Sequence, residues 1–396
     1  MKTINTTIIL VLAICINGMI YASSPKNENP IASTYFINDF HLISIPVSLN
    51  GHDSLFFIID TGFDVNVLDE NVANALGLNL SEKISQDQPG GTIEFALVNN
   101  LELEINQVKI QNENFIVTPI SQMANIVGFP IHGILGIDFL SKYLIEIDYE
   151  SAQFIVHSLD SKIELKGFSE LPVSLAEGEP FIYCDLQNSK GEPIKGKFKM
   201  DTGGIDAIGF NKNFIENNYI IDDNSKVQYK KGVAVGGETL GIEFRIKELS
   251  IANFEFENVL VGATMESGGF ENRADAGTLG AEILCRFHWI LDFSNSMSYL
   301  KPNKNIGAEF ESDRSGLWII ENDEGEKIIF QILANTPAAQ SGLESGQVVK
   351  QINGTNTNEL SLFQIWEILR NPSTKSVILV IEGSNEPIEI VLTQLI

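Results

Sequence analysis

The sequence predicts an all-β chain in which one unit of roughly 140 residues is used twice, followed by a smaller unit. Two observations indicate the duplication. Asp-Thr-Gly occurs at Asp60 and again at Asp201, each time directly after a predicted strand. Two further segments, residues 133–143 and 277–287, align with each other on Gly136 and Gly280. From residue 303 the composition changes and the repeat stops.

The first triplet ends a predicted strand at 56–59, where two aromatic and two β-branched residues stand in a row. An acid at this position is unusual, because a lone buried carboxylate is costly. Gly62 permits a sharp turn beside it. One such triplet is equally compatible with an Asx-type turn that caps a strand. A second triplet at the end of a second strand argues against chance.

The glycine segments repeat in more than their glycines. In both copies the glycine is followed by an acid, a leucine, a base and an aromatic residue at matching positions. The matched pairs are Asp138 and Glu282, Leu140 and Leu284, Lys142 and Arg286, and Tyr143 and Phe287. The spacing from the acid of the triplet to the glycine is 76 residues in the first copy and 79 in the second.

Together these motifs resemble the aspartic proteases, in particular the bacterial retropepsin-like proteins with two lobes in one chain. The resemblance covers about residues 39–302. It implies two pseudo-twofold-related, barrel-like lobes, lobe 1 at 39–165 and lobe 2 at 166–302. It also implies that Asp60 and Asp201 form the catalytic pair, with the glycine segments packed beneath the triplets.

The resemblance further assigns supporting roles near the pair. Two threonines hydrogen-bond across it and two glycines offer it backbone N–H groups: Thr61, Thr202, Gly62 and Gly203. Glycine-rich hairpins that close over a substrate correspond to two glycine pairs: Gly90 with Gly91, and Gly236 with Gly237. Both glycine pairs are also compatible with ordinary hairpin turns that do not close over a substrate. The chain departs from the family at Phe63 and Gly204, where the family has Ala, Ser or Thr.

Two carboxyl groups about 3 Å apart cannot both ionise and therefore share a proton. One then acts as a general base on water while the other donates to a substrate carbonyl. The resemblance thus implies an aspartic endopeptidase acting on peptides or proteins, without cofactor or metal. We keep two alternatives: an inactive retropepsin-fold protein that only binds peptides, supported by Phe63 and Gly204, and a homodimer in which each lobe pairs with its copy.

Residues 303–396 resemble a PDZ domain, which is β-rich with two short helices. The match lies in a glycine-containing loop and strand at 315–320 and in the segment 335–354. A helix predicted at 360–370 would line the peptide-binding groove of such a domain. Backbone N–H groups of the loop would hold a peptide C-terminus. The residues that correspond to this site are Gly316, Leu317, Trp318 and Ile319. A cap of the same shape without a ligand is the alternative.

Residues 1–22 are typical of a secretory signal, with Lys2 before nine apolar residues at 8–16. We expect export to the periplasm or the extracellular space; a lipoprotein signal at Cys15 fits less well, because Ile14 is bulky. Residues 23–38 are predicted to be a flexible lead-in.

Two cysteines remain after removal of the signal segment, Cys184 and Cys285. They form either a disulfide bridge or two buried thiols, and we favour the two thiols. The net charge of −26 argues against nucleic acid or an anionic membrane surface as partner. No later segment is apolar enough to span a membrane, and we expect a monomer.

Overall fold

The computed structural model describes residues 30–88, 91–176, 178–234, 237–265, 273–384 and 386–396. Strands dominate and all α-helices are short, so the prediction of an all-β fold is confirmed. The predicted signal segment 1–22 lies outside the described residues. No helix among the described residues has the length and hydropathy needed to cross a membrane.

The described residues of the first half of the chain form ten strands and three α-helices. The strands are β1 Ala32–Tyr35, β2 Ser44–Leu49, β3 His52–Ile59, β4 Val67–Asp69, β5 Ile84–Gln88, β6 Gly91–Ile105, β7 Val108–Thr118, β8 Gly133–Leu135, β9 Leu144–Asp148 and β10 Gln153–His157. The helices are α1 Glu70–Ala75, α2 Ala124–Val127 and α3 Ile137–Leu140, with 3-10 turns at Asp39–His41 and Ser121–Met123.

The second half repeats this order. Its strands are β11 Ser169–Pro172, β12 Ser174–Ala176, β13 Glu179–Gln187, β14 Pro193–Asp201, β15 Ile208–Phe210, β16 Gln228–Ala234, β17 Gly237–Ile251, β18 Phe254–Thr264, β19 Gly277–Gly280, β20 Phe287–Asp292 and β21 Met297–Pro302. Its helices are α4 Lys212–Asn218 and α5 Ala281–Leu284, with a 3-10 turn at Phe293–Asn295.

Each half folds into a sheet that curves back on itself. In lobe 1 the strand order is β2-β3-β8-β4-β7-β6-β5, and an additional pairing of β2 with β6 makes the sheet barrel-like. In lobe 2 the order is β12-β13-β14-β19-β15-β18-β17-β16, with β13 also paired to β17. In both lobes the strand that leads to the triplet pairs in parallel with the strand of the glycine segment. The two halves therefore repeat in structure as they do in sequence.

A third sheet joins the lobes, in the order β1-β10-β9-β20-β21-β11. Strand β9 of lobe 1 pairs with β20 of lobe 2, so that Ile147 lies opposite Trp289. The predicted flexible lead-in is wrong over β1, because residues 32–35 form the edge of this sheet. Ala32 is buried there and pairs with Val156.

Residues 303–396 form a separate C-terminal unit. Its elements are β22 Leu317–Glu321, β23 Lys327–Ile332, β24 Val349–Ile352, β25 Thr355–Asn356, α6 Leu362–Arg370, β26 Ser376–Ile381 and β27 Ile388–Val391, with 3-10 turns at Ala338–Gln340 and Thr357–Glu359. Helix α6 begins two residues later than the predicted 360, because Ser361 and Gln364 form a reciprocal capping box before it. Of the two short helices predicted, the other is only the 3-10 turn at Ala338–Gln340, just before Gly342 with a φ of +79°.

The buried apolar residues form two clusters. One extends through both lobes and the joining sheet. The other, called here the interface cluster, joins the C-terminal unit to lobe 1 through residues such as Ile58, Val67 and Ile134 on the lobe side. The C-terminal unit is thus packed on the lobe and is not tethered loosely to it.

Candidate active site

The two triplets meet where the lobes face each other. Asp60 directly follows β3, and its N–H donates to the Leu135 carbonyl oxygen at 3.0 Å. Asp201 ends β14 and lies opposite Gly280 of β19. The carboxyl groups of Asp60 and Asp201 are hydrogen-bonded to each other. One chain brings both acids together, without a second copy.

The threonines lock the lobes beneath the acids. The Thr202 Oγ1 accepts from the Thr61 N–H at 3.0 Å, and the Thr61 Oγ1 accepts from the Thr202 N–H at 3.1 Å. Each hydroxyl also donates across the lobes, Thr61 to the Met200 carbonyl and Thr202 to the Ile59 carbonyl, both at 2.8 Å. Both threonines are buried, so these four bonds have no competition from solvent.

The glycines of the triplets bring the backbone close to the acids. The Gly62 N–H donates to Asp60 Oδ1 at 2.7 Å, and the Gly203 N–H donates to Asp201 Oδ1 at 3.2 Å. A Cβ at Gly62 would lie 2.6 Å from Asp201 Oδ1, and one at Gly203 would lie 2.0 Å from Asp60 Oδ2. No larger residue fits at either place while the acids touch.

Burial and mutual repulsion set the protonation of the pair. Burial raises the pKa of Asp60 far above its ordinary value, and the charge of Asp201 raises it further. Burial also raises the pKa of Asp201, although the cation of Lys199 and N–H groups at Gly204 and Gly203 oppose the rise. The bond between the carboxyl groups raises the pKa of Asp60 and acts to lower that of Asp201. The directions of these effects favour Asp60 as the holder of the shared proton.

Lys199 is a member of the site that sequence reasoning missed. Its side chain is buried two residues before Asp201, and its Nζ donates to the Gly62 carbonyl at 3.0 Å and to Glu179 Oε1 at 3.1 Å. Glu179 is in turn paired with Arg273. The repeat contained a signal for this residue: the equivalent position in lobe 1 is the apolar Ile58, so the lysine breaks the pattern of the repeat.

The glycine segments support the loops that follow the acids. The N–H of Ile137 donates to the Phe63 carbonyl at 2.8 Å, and the N–H of Ala281 donates to the Gly204 carbonyl at 2.6 Å. A Cβ at Gly136 would lie 2.4 Å from the Val65 carbonyl oxygen, so glycine is needed for this approach. The atypical residues Phe63 and Gly204 keep these backbone contacts. A Cβ at residue 204 would lie 2.9 Å from Asp201 Oδ2.

The hairpins with the glycine pairs are described only in part. Gly90 and Gly236 lie outside the described residues. Gly91 begins β6 and pairs with Gln88 of β5, while Gly237 begins β17 and pairs with Ala234 of β16. Gly91 and Gly237 therefore each stand in the first residue pair of two antiparallel strands, as a hairpin requires.

The predicted peptide-binding residues of the C-terminal unit form a turn and the start of a strand. Gly316 adopts a φ of +83°, and Leu317, Trp318 and Ile319 follow it as the start of β22. Strand β22 and helix α6 stand beside each other, with Leu317 and Ile319 buried. The loop, strand and helix thus surround one groove.

The remaining side chains with reactive or metal-binding chemistry are the cysteines and the possible metal ligands. Cys184 and Cys285 are free, buried thiols, and burial raises the pKa of both. Within the described residues no group of three or more His, Cys, Asp or Glu side chains is arranged to hold a metal ion.

Comparison with known proteins agrees with this geometry. Residues 45–139 match the aspartyl protease family, a range that runs from β2 through Asp60 and Gly136 to α3. No curated protein matches the chain. The family match and the two barrel-like lobes support a retropepsin-like aspartyl protease.

Proposed function

We propose that this protein is an aspartic endopeptidase that hydrolyses peptide bonds with water activated between Asp60 and Asp201. The observation that carries the proposal is the pair of buried, hydrogen-bonded carboxyl groups, one from each lobe. Two acids in this arrangement have separated pKa values, which is what a paired general acid and base need.

The protonation of the pair assigns the two roles. Asp201, ionised and supported by Lys199, takes a proton from water as the water oxygen attacks the peptide carbonyl carbon. Asp60 gives its proton to the carbonyl oxygen. The tetrahedral intermediate then collapses: the C–N bond breaks, the proton on Asp201 passes to the leaving amine, and one hydroxyl proton of the intermediate returns to Asp60. Water supplies the nucleophile, so no covalent enzyme intermediate forms.

The test is cleavage of a mixed peptide library across pH by the wild type and by Asp60→Asn and Asp201→Asn. Each variant removes one of the two proton-transfer groups, so we expect a loss of roughly 10²- to 10⁴-fold. Asp64→Asn is the matched control, since Asp64 is exposed and only four residues from Asp60. Equal residual cleavage in all forms would reject the protease.

The second candidate is a retropepsin-fold protein that binds peptides without cleaving them. Phe63 favours it, because a bulky side chain stands directly after the triplet and packs against the interface cluster. In that case library peptides bind to the wild type and are recovered intact, and Asp201→Asn binds them equally well.

We further propose a monomer that is exported by residues 1–22 to the periplasm or the extracellular space. One chain supplies both acids, which supports a monomer. Size-exclusion chromatography with light scattering tests the first statement. Cell fractionation with N-terminal sequencing of the mature protein tests the second.

We also propose that the C-terminal unit is a PDZ-like recognition module. The left-handed Gly316 before β22 and the capped helix α6 beside that strand support it. A free peptide C-terminus is the ligand that the resemblance implies, and amidation of such a peptide abolishes its binding if that implication holds.

A further inference from the structure

Lobe 1 fills the groove of the C-terminal unit. Helix α2 lies against both walls of the groove, β22 and α6. Val127 is 5% exposed and belongs to the same interface cluster as Leu317 and Leu362. A Cβ at Gly128 would lie 3.0 Å from Leu362 Cγ. A peptide can therefore enter the groove only by displacing this segment.

In the loop that would hold a terminal carboxylate, the backbone N–H groups already have hydrogen-bond acceptors within the unit. Asp313 accepts from the Ser315 N–H at 3.1 Å and from the Gly316 N–H at 2.6 Å. The Leu317 N–H donates to Ser315 Oγ at 2.9 Å. The side chain of Asp313 stands where a ligand carboxylate would be bound, so the groove suits an internal segment better than a chain end.

Strand β23, which pairs with the groove strand β22, touches lobe 2. The Gln331 Oε1 on β23 accepts from the Lys231 N–H at 3.0 Å, and the Lys231 Nζ lies 5.3 Å from the centre of the Phe330 ring. Lys231 belongs to β16, one strand of the hairpin that carries Gly237. Phe63 and Ile205, which follow the two catalytic triplets, pack against the interface cluster. The unit therefore borders the site from both lobes.

The two lobes differ at the positions of the repeat that meet the C-terminal unit in lobe 1. On the face of lobe 1 that meets the unit stand Ile58, Val67 and Ile134. Strand pairing puts Lys199, Gly209 and Thr278 at the equivalent places in lobe 2. The equivalent surface of lobe 2 therefore lacks this apolar face.

We propose that the C-terminal unit is a latch across the cleft between the lobes: its groove binds helix α2 of lobe 1, and β23 holds the β16–β17 hairpin of lobe 2. This rests on the proposed function, since the latch governs access to Asp60 and Asp201. The partner of the groove is the protein's own catalytic lobe, and a substrate is admitted when the hairpin is released.

The first test uses amide hydrogen exchange on the whole protein without substrate. Gln331→Ala removes the acceptor for the Lys231 N–H, and we expect exchange there to rise about fivefold. Gln347→Ala is the matched control, because Gln347 accepts from the Glu344 N–H inside the unit. Cleavage of library peptides rises in Gln331→Ala and not in Gln347→Ala.

The second test concerns the groove contact. Asn125 donates to Asp323 at 3.0 Å, so Asn125→Asp places two carboxylates together and raises exchange over residues 121–128. The double variant Asn125→Asp with Asp323→Asn restores a donor and an acceptor and returns exchange to the wild-type rate. A peptide with a free C-terminus binds the wild-type groove only as α2 leaves it, so its binding raises exchange over residues 121–128.

The outcomes separate the two proposals. Unchanged exchange in Gln331→Ala and Asn125→Asp, or a peptide that shifts the Leu317 amide without raising exchange at 121–128, overturns the latch. The expected exchange pattern in a protein that cleaves nothing keeps the latch and rejects the protease.

Discussion

Lys199 of lobe 2 donates from its Nζ to the carbonyl oxygen of Gly62 in lobe 1 at 3.0 Å. The bond crosses between the lobes next to both acids and has no counterpart on the other side of the pseudo-twofold axis, where Ile58 stands. Because Lys199 is only 8% exposed, its charge acts on the pair with little screening. The two halves of the site therefore differ electrostatically.

We predict that Lys199→Met shifts the pH profile of kcat/KM to higher pH. The cation of Lys199 lowers the pKa of both Asp60 and Asp201, so its loss raises both. The active form carries one proton on the pair, and both limbs of the bell therefore move upward together. Lys195→Met is the control, since Lys195 is exposed on the same strand. Lower activity with unmoved limbs would show a structural role only.

We predict that Thr202→Val destabilises the protein by about 1–3 kcal/mol. Valine has nearly the same shape but leaves the Thr61 N–H and the Ile59 carbonyl without their partner across the lobes. Urea unfolding measures the loss. Thr202→Ser keeps the hydroxyl and is expected to stay close to the wild type; an equal loss in both variants would assign the effect to packing.

We predict that Asp60→Asn stabilises the fold at neutral pH while it impairs cleavage. The pKa of Asp60 is raised in the folded protein, so the folded state binds more protons and stability falls as pH rises above about 4. The asparagine variant lacks this penalty, and its advantage in Tm grows with pH. Calorimetry at pH 4 and pH 7 measures the difference. A constant difference would contradict the raised pKa.

We predict that Glu146→Gln weakens the sheet that joins the lobes. Burial alone raises the pKa of Glu146, but hydrogen bonds from His157 at 2.8 Å and His288 at 2.9 Å outweigh it and bring the pKa to about 2. This contribution to stability is present above about pH 4 and is lost as pH falls toward 2.

Urea unfolding of Glu146→Gln at pH 7 and at pH 2.5 measures the effect, with a loss of about 1–3 kcal/mol expected at pH 7 and a much smaller loss at pH 2.5. The exposed Glu150, at the end of the same hairpin, supplies the control variant Glu150→Gln. An equal loss at both pH values would show that the carboxylate charge is irrelevant.

Local signals in the sequence predicted much of the fold. The dipeptide Asn50-Gly51 is a strong hairpin signal, and both residues adopt the positive φ values that such a turn needs. Residues 69–76 have the pattern of a short helix stopped by Gly77, and α1 is found there with its cap at Asp69. Residues 188–196 have the composition of a turn region, but Pro193 already begins β14. Propensity does not reveal how far pairing with β13 extends a strand.

Contacts between distant segments could not be predicted in the same way. Strand β1 was placed in a flexible lead-in because its composition is polar, and only its pairing with β10 orders it. Lys199 stands in a run that predicts a strand, but its reach to Gly62 depends on how the lobes meet. The contact of Gly128 with Leu362 likewise requires the position of the C-terminal unit, which no local pattern encodes.

The central claim is that Asp60 and Asp201 share one proton. Carbon-13 NMR titration of the two carboxyl groups in the wild type measures this most directly. We expect two well-separated titrations, the higher one far above the ordinary value of about 3.9 and dominated by Asp60. Two independent titrations near that ordinary value would contradict the account.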